Sequence, residues 1–136
     1  MDLDDARAVL RDQHRAVLAT RKPDGTPQLS PVMVAVDDDG RAVISTRETA
    51  YKTHNLRRDP RAWLCVLPDE FFGRWIQLTG DVEVLSLPDA MEPLVDYYRR
   101  SVGEHQDWDD YREAMRREQR VLVRITLTGA GPDRQG

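Results

Sequence analysis

The chain has 136 residues, 40% of them hydrophobic and 32% charged, and a formal net charge of −4. That length and composition fit one compact globular domain and exclude a disordered chain. The acidic balance excludes a bulk basic footprint for nucleic acid, no apolar run approaches the roughly 20 residues of a membrane helix, and the lone Cys65 excludes an intrachain disulfide or a multi-cysteine metal site.

Leu3, Ala6, Val9 and Leu10 fall on one face of a helix over residues 3–13. This acidic, amphipathic start does not have the pattern of a signal peptide, and the cysteine usage points to the reducing cytoplasm. "AVLAT" (16–20) reads as a strand, "RKPDGT" as a turn with Asp24-Gly25 as its hairpin signal, and "PQLSPVMVAV" (27–36) as a second strand, buried on both faces in its second half. "DDDG" (37–40) turns the chain into a third strand, "RAVIST" (41–46), so that two consecutive hairpins form a meander. A short helix over 48–58 follows, ended by Pro60, and then a fourth strand over 61–67. "PDEFFG" is a loop. The fifth strand, 74–87, has Ile76, Leu78, Val82 and Val84 on one face and Gln77, Thr79, Asp81 and Glu83 on the other. Gly80 at its middle signals a bulge or sharp bend.

Met91, Leu94, Val95, Tyr98 and Val102 make a helical stripe that begins late or in two steps because of Pro88 and Pro93. After the break "GEHQ", a further helix starts on Asp107 as N-cap, and residues 120–128 form a sixth strand. The tail, 129–136, reads as mobile. Six strands with a helix inserted after the third point to a mainly β antiparallel barrel, which also removes exposed strand edges.

Ser45, Thr46, Arg47 and Lys52 cluster where a strand ends and a helix begins. Basic side chains are disfavoured at a helix start, whereas free N–H groups there attract phosphate. Two readings are open: an anion site, or a surface pair of Glu48 with Lys52 at i,i+4 spacing. Arg57, Arg58 and Arg61 either bind an acidic tail or form a solvated helix end that complements the dipole. His14, His54 and His105 have no metal-ligand spacing, and the five acidic residues around Trp108 do not match a calcium loop. Cys65 and Trp63 read as core residues, and Trp108 as fixing its helix. Gln28 and Ser30 share one face of the second strand and either edge a heterocycle or face solvent. Trp75 either covers a ring or fills the core.

The run "RAVLATRKPDGTPQLSPVMVAVDDDGRAVISTRETAYKTHNLRRDPRAWLCV", with "GEHQDWDDYREAM" and "RVLVRITL", resembles the pyridoxamine-phosphate-oxidase-like split β-barrel superfamily. Within it the chain is similar to the actinobacterial B-type reductases that use the deazaflavin coenzyme F-420. The resemblance covers about residues 14–128. It implies a six-stranded FMN-binding split barrel, a homodimer with cofactor in two grooves at the interface, and a small-molecule substrate, without nucleic acid or membrane as partner. By the same likeness, Gln28, Leu29, Ser30 and Pro31 border the ring system, and Ile44, Ser45, Thr46 and Arg47 lie near the ribityl chain and phosphate. In "KTHNL", Lys52 contacts the phosphate, Asn55 supports loop or cofactor, and Trp75 lines the groove. The chain departs from the pattern at Ala50, where many relatives carry a second basic residue; Arg47 lies further upstream. The implied chemistry is hydride transfer from reduced F-420 to a quinone, enone or tetrapyrrole. FMN-dependent oxidoreduction and cofactor carriage without turnover are the alternatives.

Overall fold

The computed structural model describes residues 1–136. Helix α1 (Leu3–Asp12) starts on Asp2, whose carboxylate accepts from the Asp4 amide, and it buries Ala6, Val9 and Leu10. The strands are β1 (Arg15–Arg21), β2 (Pro27–Met33), β3 (Ala35–Val36), β4 (Ala42–Arg47), β5 (Arg61–Leu67), β6 (Arg74–Leu85) and β7 (Arg120–Gln135). Helix α2 (Tyr51–Arg58) sits between β4 and β5, and α3 (Met91–Ser101) and α4 (Trp108–Arg117) sit between β6 and β7. All seven strands form one antiparallel sheet in the order β2-β1-β5-β6-β7-β4-β3.

The expected second strand is two strands at opposite edges of that sheet. Residues 27–33 pair with β1, residues 35–36 pair with β4, and Val34 alone joins them. Its amide donates to the His14 carbonyl (2.7 Å), and the His14 ring Nδ1 donates to the Val34 carbonyl (2.9 Å). The sheet therefore curls until one residue bridges its edges, which makes a split barrel of seven strands rather than six. The second hairpin of the expected meander shrinks to two residue pairs, and β4 instead takes β7 as its long partner. Such pairing over a long sequence separation leaves no local signal in the chain.

The barrel interior holds Leu18, Val34, Ile44, Leu56, Leu64, Ile76, Leu78, Val123 and Ile125, with Ala6 and Leu10 of α1 packed into it. Burying each large aliphatic side chain stabilises the fold by roughly 1.5–3 kcal/mol. A second cluster forms outside the barrel, where Met91, Leu94, Val95, Tyr111 and Met115 of α3 and α4 cover Ala35, Val43 and Leu122. Tyr111 closes it by donating to the Leu94 carbonyl (2.8 Å). Val102, expected to continue the α3 stripe, falls at the C-cap and is exposed.

Gly80 lies at a register shift between β6 and β7, as expected; a Cβ there would collide with the Thr126 carbonyl oxygen. The tail expected to be mobile continues β7 and pairs with the start of β6, reinforced by Arg74 donating to Asp133 through Nε and Nη2 (both 2.9 Å). Trp63 and Cys65, expected in the core, project from the opposite face of β5, where Ala62, Leu64 and Val66 point inward. Strand β5 is apolar on both faces, so alternation could not orient it. Trp63 lies beneath the guanidinium groups of Arg21 (5.0 Å) and Arg61 (5.5 Å).

Candidate anion-binding cleft

Strand β4 does not end where the helix begins. Its last residue, Arg47, pairs across to Arg120, and Glu48–Ala50 form a turn before α2. The helix start is Tyr51, three residues later than expected, because strand pairing with β7 persists through Arg47. Thr53 Oγ1 donates to the Arg47 carbonyl (2.6 Å) and pins the turn. The N-cap, Ala50, has no side-chain acceptor to offer, and no protein acceptor takes the Tyr51 or Lys52 amide.

Lys52 stands beside these two free amides. It is half-buried, and Nζ donates to Ser30 Oγ (3.3 Å). No carboxylate pairs with it. The i,i+4 surface pair with Glu48 does not form: Glu48 instead binds Arg57 and accepts from Ser86 Oγ (2.9 Å). Burial first, and the charge of Arg120 second, hold the Lys52 ammonium below its ordinary pKa.

Lys52 lines a cleft of about 470 Å³ with Pro31, Ser45, Thr46, Tyr97 and Arg120 among its walls. The volume is in the range of small-molecule sites. Its walls are β2 at the sheet edge, β4, the start of β7, and the aromatic side of α3. The Tyr97 hydroxyl donates to the Met33 carbonyl (3.0 Å), and burial pushes the phenol up, so it stays protonated. Arg120 and Glu118 share the floor: Glu118 Oε1 accepts from Arg120 Nη2 (2.8 Å).

Asn55 is buried and fully engaged. Its amide donates to Gln28 Oε1 (2.9 Å) and Thr20 Oγ1 (3.1 Å), and its oxygen accepts from Arg58 (3.2 Å). It therefore holds Gln28 in place. Gln28 and Asn55 line a neighbouring cavity of about 480 Å³ with Lys22, Pro23 and Tyr51. The face carrying Gln28 and Ser30 is the inward one, opposite Thr20 and Leu18, not a solvent-facing edge.

The other expected site residues separate. Ile44 is fully buried in the barrel. Leu29 is 65% exposed on the outer sheet face. Arg47 lies outside the cleft, half in solvent, and reaches the same Glu118 Oε1 that Arg120 binds (3.4 Å). Trp75 is half-buried on β6 and lines neither cavity. Arg57 is occupied by Glu48 and Ser86, and Arg58 by the Arg21 carbonyl and Asn55. Sequence reasoning missed Arg120, Glu118 and Tyr97. The run "RREQR" before the last strand was the available signal for the first two, but only the β4–β7 register turns it into a site.

Solved structures with this fold cover nearly the whole chain. The conserved hypothetical protein Rv2991 from Mycobacterium tuberculosis is 28% identical over 96% of this chain and 82% of its own, with a TM-score of 0.76. An F420 reductase is 23% identical, covering 92% of this chain and 94% of its own, with a TM-score of 0.69. The heme storage protein HutZ from Vibrio cholerae is 14% identical over 100% of this chain and 98% of its own, with a TM-score of 0.70. The last two likenesses are likenesses of fold. A family model, described as pyridoxamine 5'-phosphate oxidase, matches residues 3–131, and the chain belongs to that family.

Proposed function

We propose that this chain is an oxidoreductase that binds coenzyme F-420 in the Lys52 cleft and serves hydride transfer to an electron-poor small molecule of quinone, enone or tetrapyrrole type. The observation that carries the reading is Lys52: a half-buried ammonium with no carboxylate partner, beside two unclaimed helix amides. Burying a charge without a counter-ion is costly, and a phosphate from a ligand relieves that cost. The named F420 reductase with the same fold supports the choice of cofactor.

The bound deazaflavin supplies the hydride chemistry. The protein supplies binding, orientation and dryness. Lys52 and the Tyr51 and Lys52 amides hold the phosphate, while Ser30 and Gln28 offer polar groups along the β2 edge. Pro31, Val32, Met33 and Tyr97 give the cleft apolar walls that keep water from the reacting centre. No histidine lines the cleft, so the heme named for other proteins of this fold finds no imidazole ligand there. FMN is the second reading, because the same ammonium and amides suit its phosphomonoester.

A homodimer belongs to this reading. Helices α3 and α4 cover β3, β4 and β7, but nothing covers the outer face of β2-β1-β5. That face presents Leu29, Pro31, Val17, Ala19, Trp63, Cys65 and Leu67 side by side. Pro31 belongs both to this face and to the cleft wall, so a second copy seated here adjoins the ligand site.

The direct test is turnover. Protein mixed anaerobically with reduced F-420 and a panel of quinones and enones is expected to reoxidise the coenzyme, with reduced FMN far less effective. Tight F-420 binding without reoxidation by any acceptor would make the protein a carrier. Preference for FMN would move it to the flavin branch.

A further inference from the structure

One lysine is a single point charge, and phosphate groups are commonly met by a second, forked cation. The sequence leaves that place open, with Ala50 where relatives carry a base and Arg47 further upstream. The structure separates Arg47 from the cleft and brings Arg120 into it. The two arginines are direct cross-strand partners on β4 and β7, a juxtaposition of like charges that costs stability unless an anion lies between. Glu118 is that anion. Its Oε1 accepts from Arg120 Nη2 (2.8 Å), Arg120 Nε (3.1 Å) and Arg47 Nη2 (3.4 Å). Arg120 first, and Arg47 after it, hold the Glu118 carboxyl below its usual range.

The sharing is unequal. The Arg120 side chain is 27% exposed and bound along one edge of its fork, whereas Arg47 is 58% exposed and touches Glu118 once, at long range. Arg120 Nη1 makes no hydrogen bond within the protein, which leaves one edge of a fixed guanidinium free in the cleft that Lys52 lines. Lys52, Arg120 and Arg47 against Glu118 leave the region with two uncompensated positive charges.

We propose that Arg120, not Arg47, is the second cationic ligand of the anionic group that Lys52 binds, and that Glu118 is the positioning residue that presents it. The proposal rests on the phosphate-site reading above. It places the second cation at the start of β7, across from the end of β4. Glu118 fixes the guanidinium before the ligand arrives, so less freedom is lost on binding.

F-420 and FMN are titrated into wild type, Arg120→Gln, Arg120→Lys, Arg47→Gln, Glu118→Gln and Lys52→Ala, with melting temperature measured for each. Arg120→Gln is expected to weaken the better-bound cofactor about ten- to hundredfold, the scale of a lost charge-assisted hydrogen bond. Arg47→Gln changes it less than about threefold, as for a screened surface charge, and Arg120→Lys recovers part of the loss. Glu118→Gln makes the cleft more positive, so a purely electrostatic role requires tighter binding; positioning requires weaker binding. Wild-type affinity in Arg120→Gln, or a larger loss in Arg47→Gln, would overturn the assignment of Arg120. Tighter binding in Glu118→Gln would overturn the positioning role. If Arg120→Gln fails to fold, the comparison of Arg120→Lys with Arg47→Gln decides in the same way. Loss in Lys52→Ala without loss in Arg120→Gln removes only this proposal, whereas no loss in Lys52→Ala removes the phosphate site itself.

Discussion

Lys52 is placed where its charge is a burden to the ligand-free protein. Burial and Arg120 lower its pKa in the folded state below the ordinary lysine value. The unfolded chain therefore holds that proton more tightly, and stability rises as pH climbs through the folded-state value. At neutral pH the ammonium costs stability, which a bound anion returns. Lys52→Met is expected to leave the melting temperature of the ligand-free protein unchanged or raised while weakening cofactor binding at least tenfold; a lowered melting temperature would show that Lys52 holds the fold. Binding is expected to fade on the alkaline side below the ordinary lysine range. Glu118 titrates below its usual range and Tyr97 and Tyr111 above theirs, so that limb belongs to Lys52. In Arg120→Gln the limb moves to higher pH, because one of the two causes of the shift is gone; a limb that stays in place would contradict the proximity of the two cations.

At the level of elements, local chemistry was legible in the sequence and long-range pairing was not. Asp107 caps α4 as expected, its carboxylate accepting from the Asp110 amide (3.1 Å). Gly80 marks the β6 irregularity as expected, because a backbone that must pass close to Thr126 leaves room for no side chain. Gly80→Ala is expected to destabilise the fold by about 1–3 kcal/mol in a denaturant titration, the range for forced overpacking; a change within error would mean that β6 shifts freely. The break at Val34 could not be read, because "PVMVAV" is apolar on both sides of it and only the pairing of its two halves with β1 and β4 reveals the corner. The tail was misread for a related reason. "GAGPDRQG" has the composition of a mobile end, but β6 is long enough to pair with it and Arg74 anchors Asp133. Truncation after Thr128 removes that pairing and is expected to lower the melting temperature by a few degrees, without affecting the cleft. In the cleft itself, Lys52 was legible from its setting at a helix start, whereas Arg120 and Glu118 required the β4–β7 register.

At the scale of the molecule, the two faces of the curled sheet are treated differently. One outer flank is covered by α3 and α4; no helix covers the other, where Leu29 is exposed and Trp63 and Leu67 are half-buried. Replacing Leu29 with Glu puts a charge on the edge strand of the surface assigned to the second copy, with the barrel core untouched. The expected result is a shift from dimer to monomer in light scattering, together with weaker cofactor binding despite an intact Lys52, because Pro31 joins that surface to the cleft. An unchanged dimer would place the interface elsewhere. One ammonium group carries the proposed site, and the measurement that tests it most directly is a side-by-side titration of F-420 and FMN into wild type and Lys52→Ala. Tight F-420 binding is expected in the wild type, with weaker FMN binding and a loss of at least tenfold in affinity in the variant. Equal affinity in wild type and Lys52→Ala would contradict it.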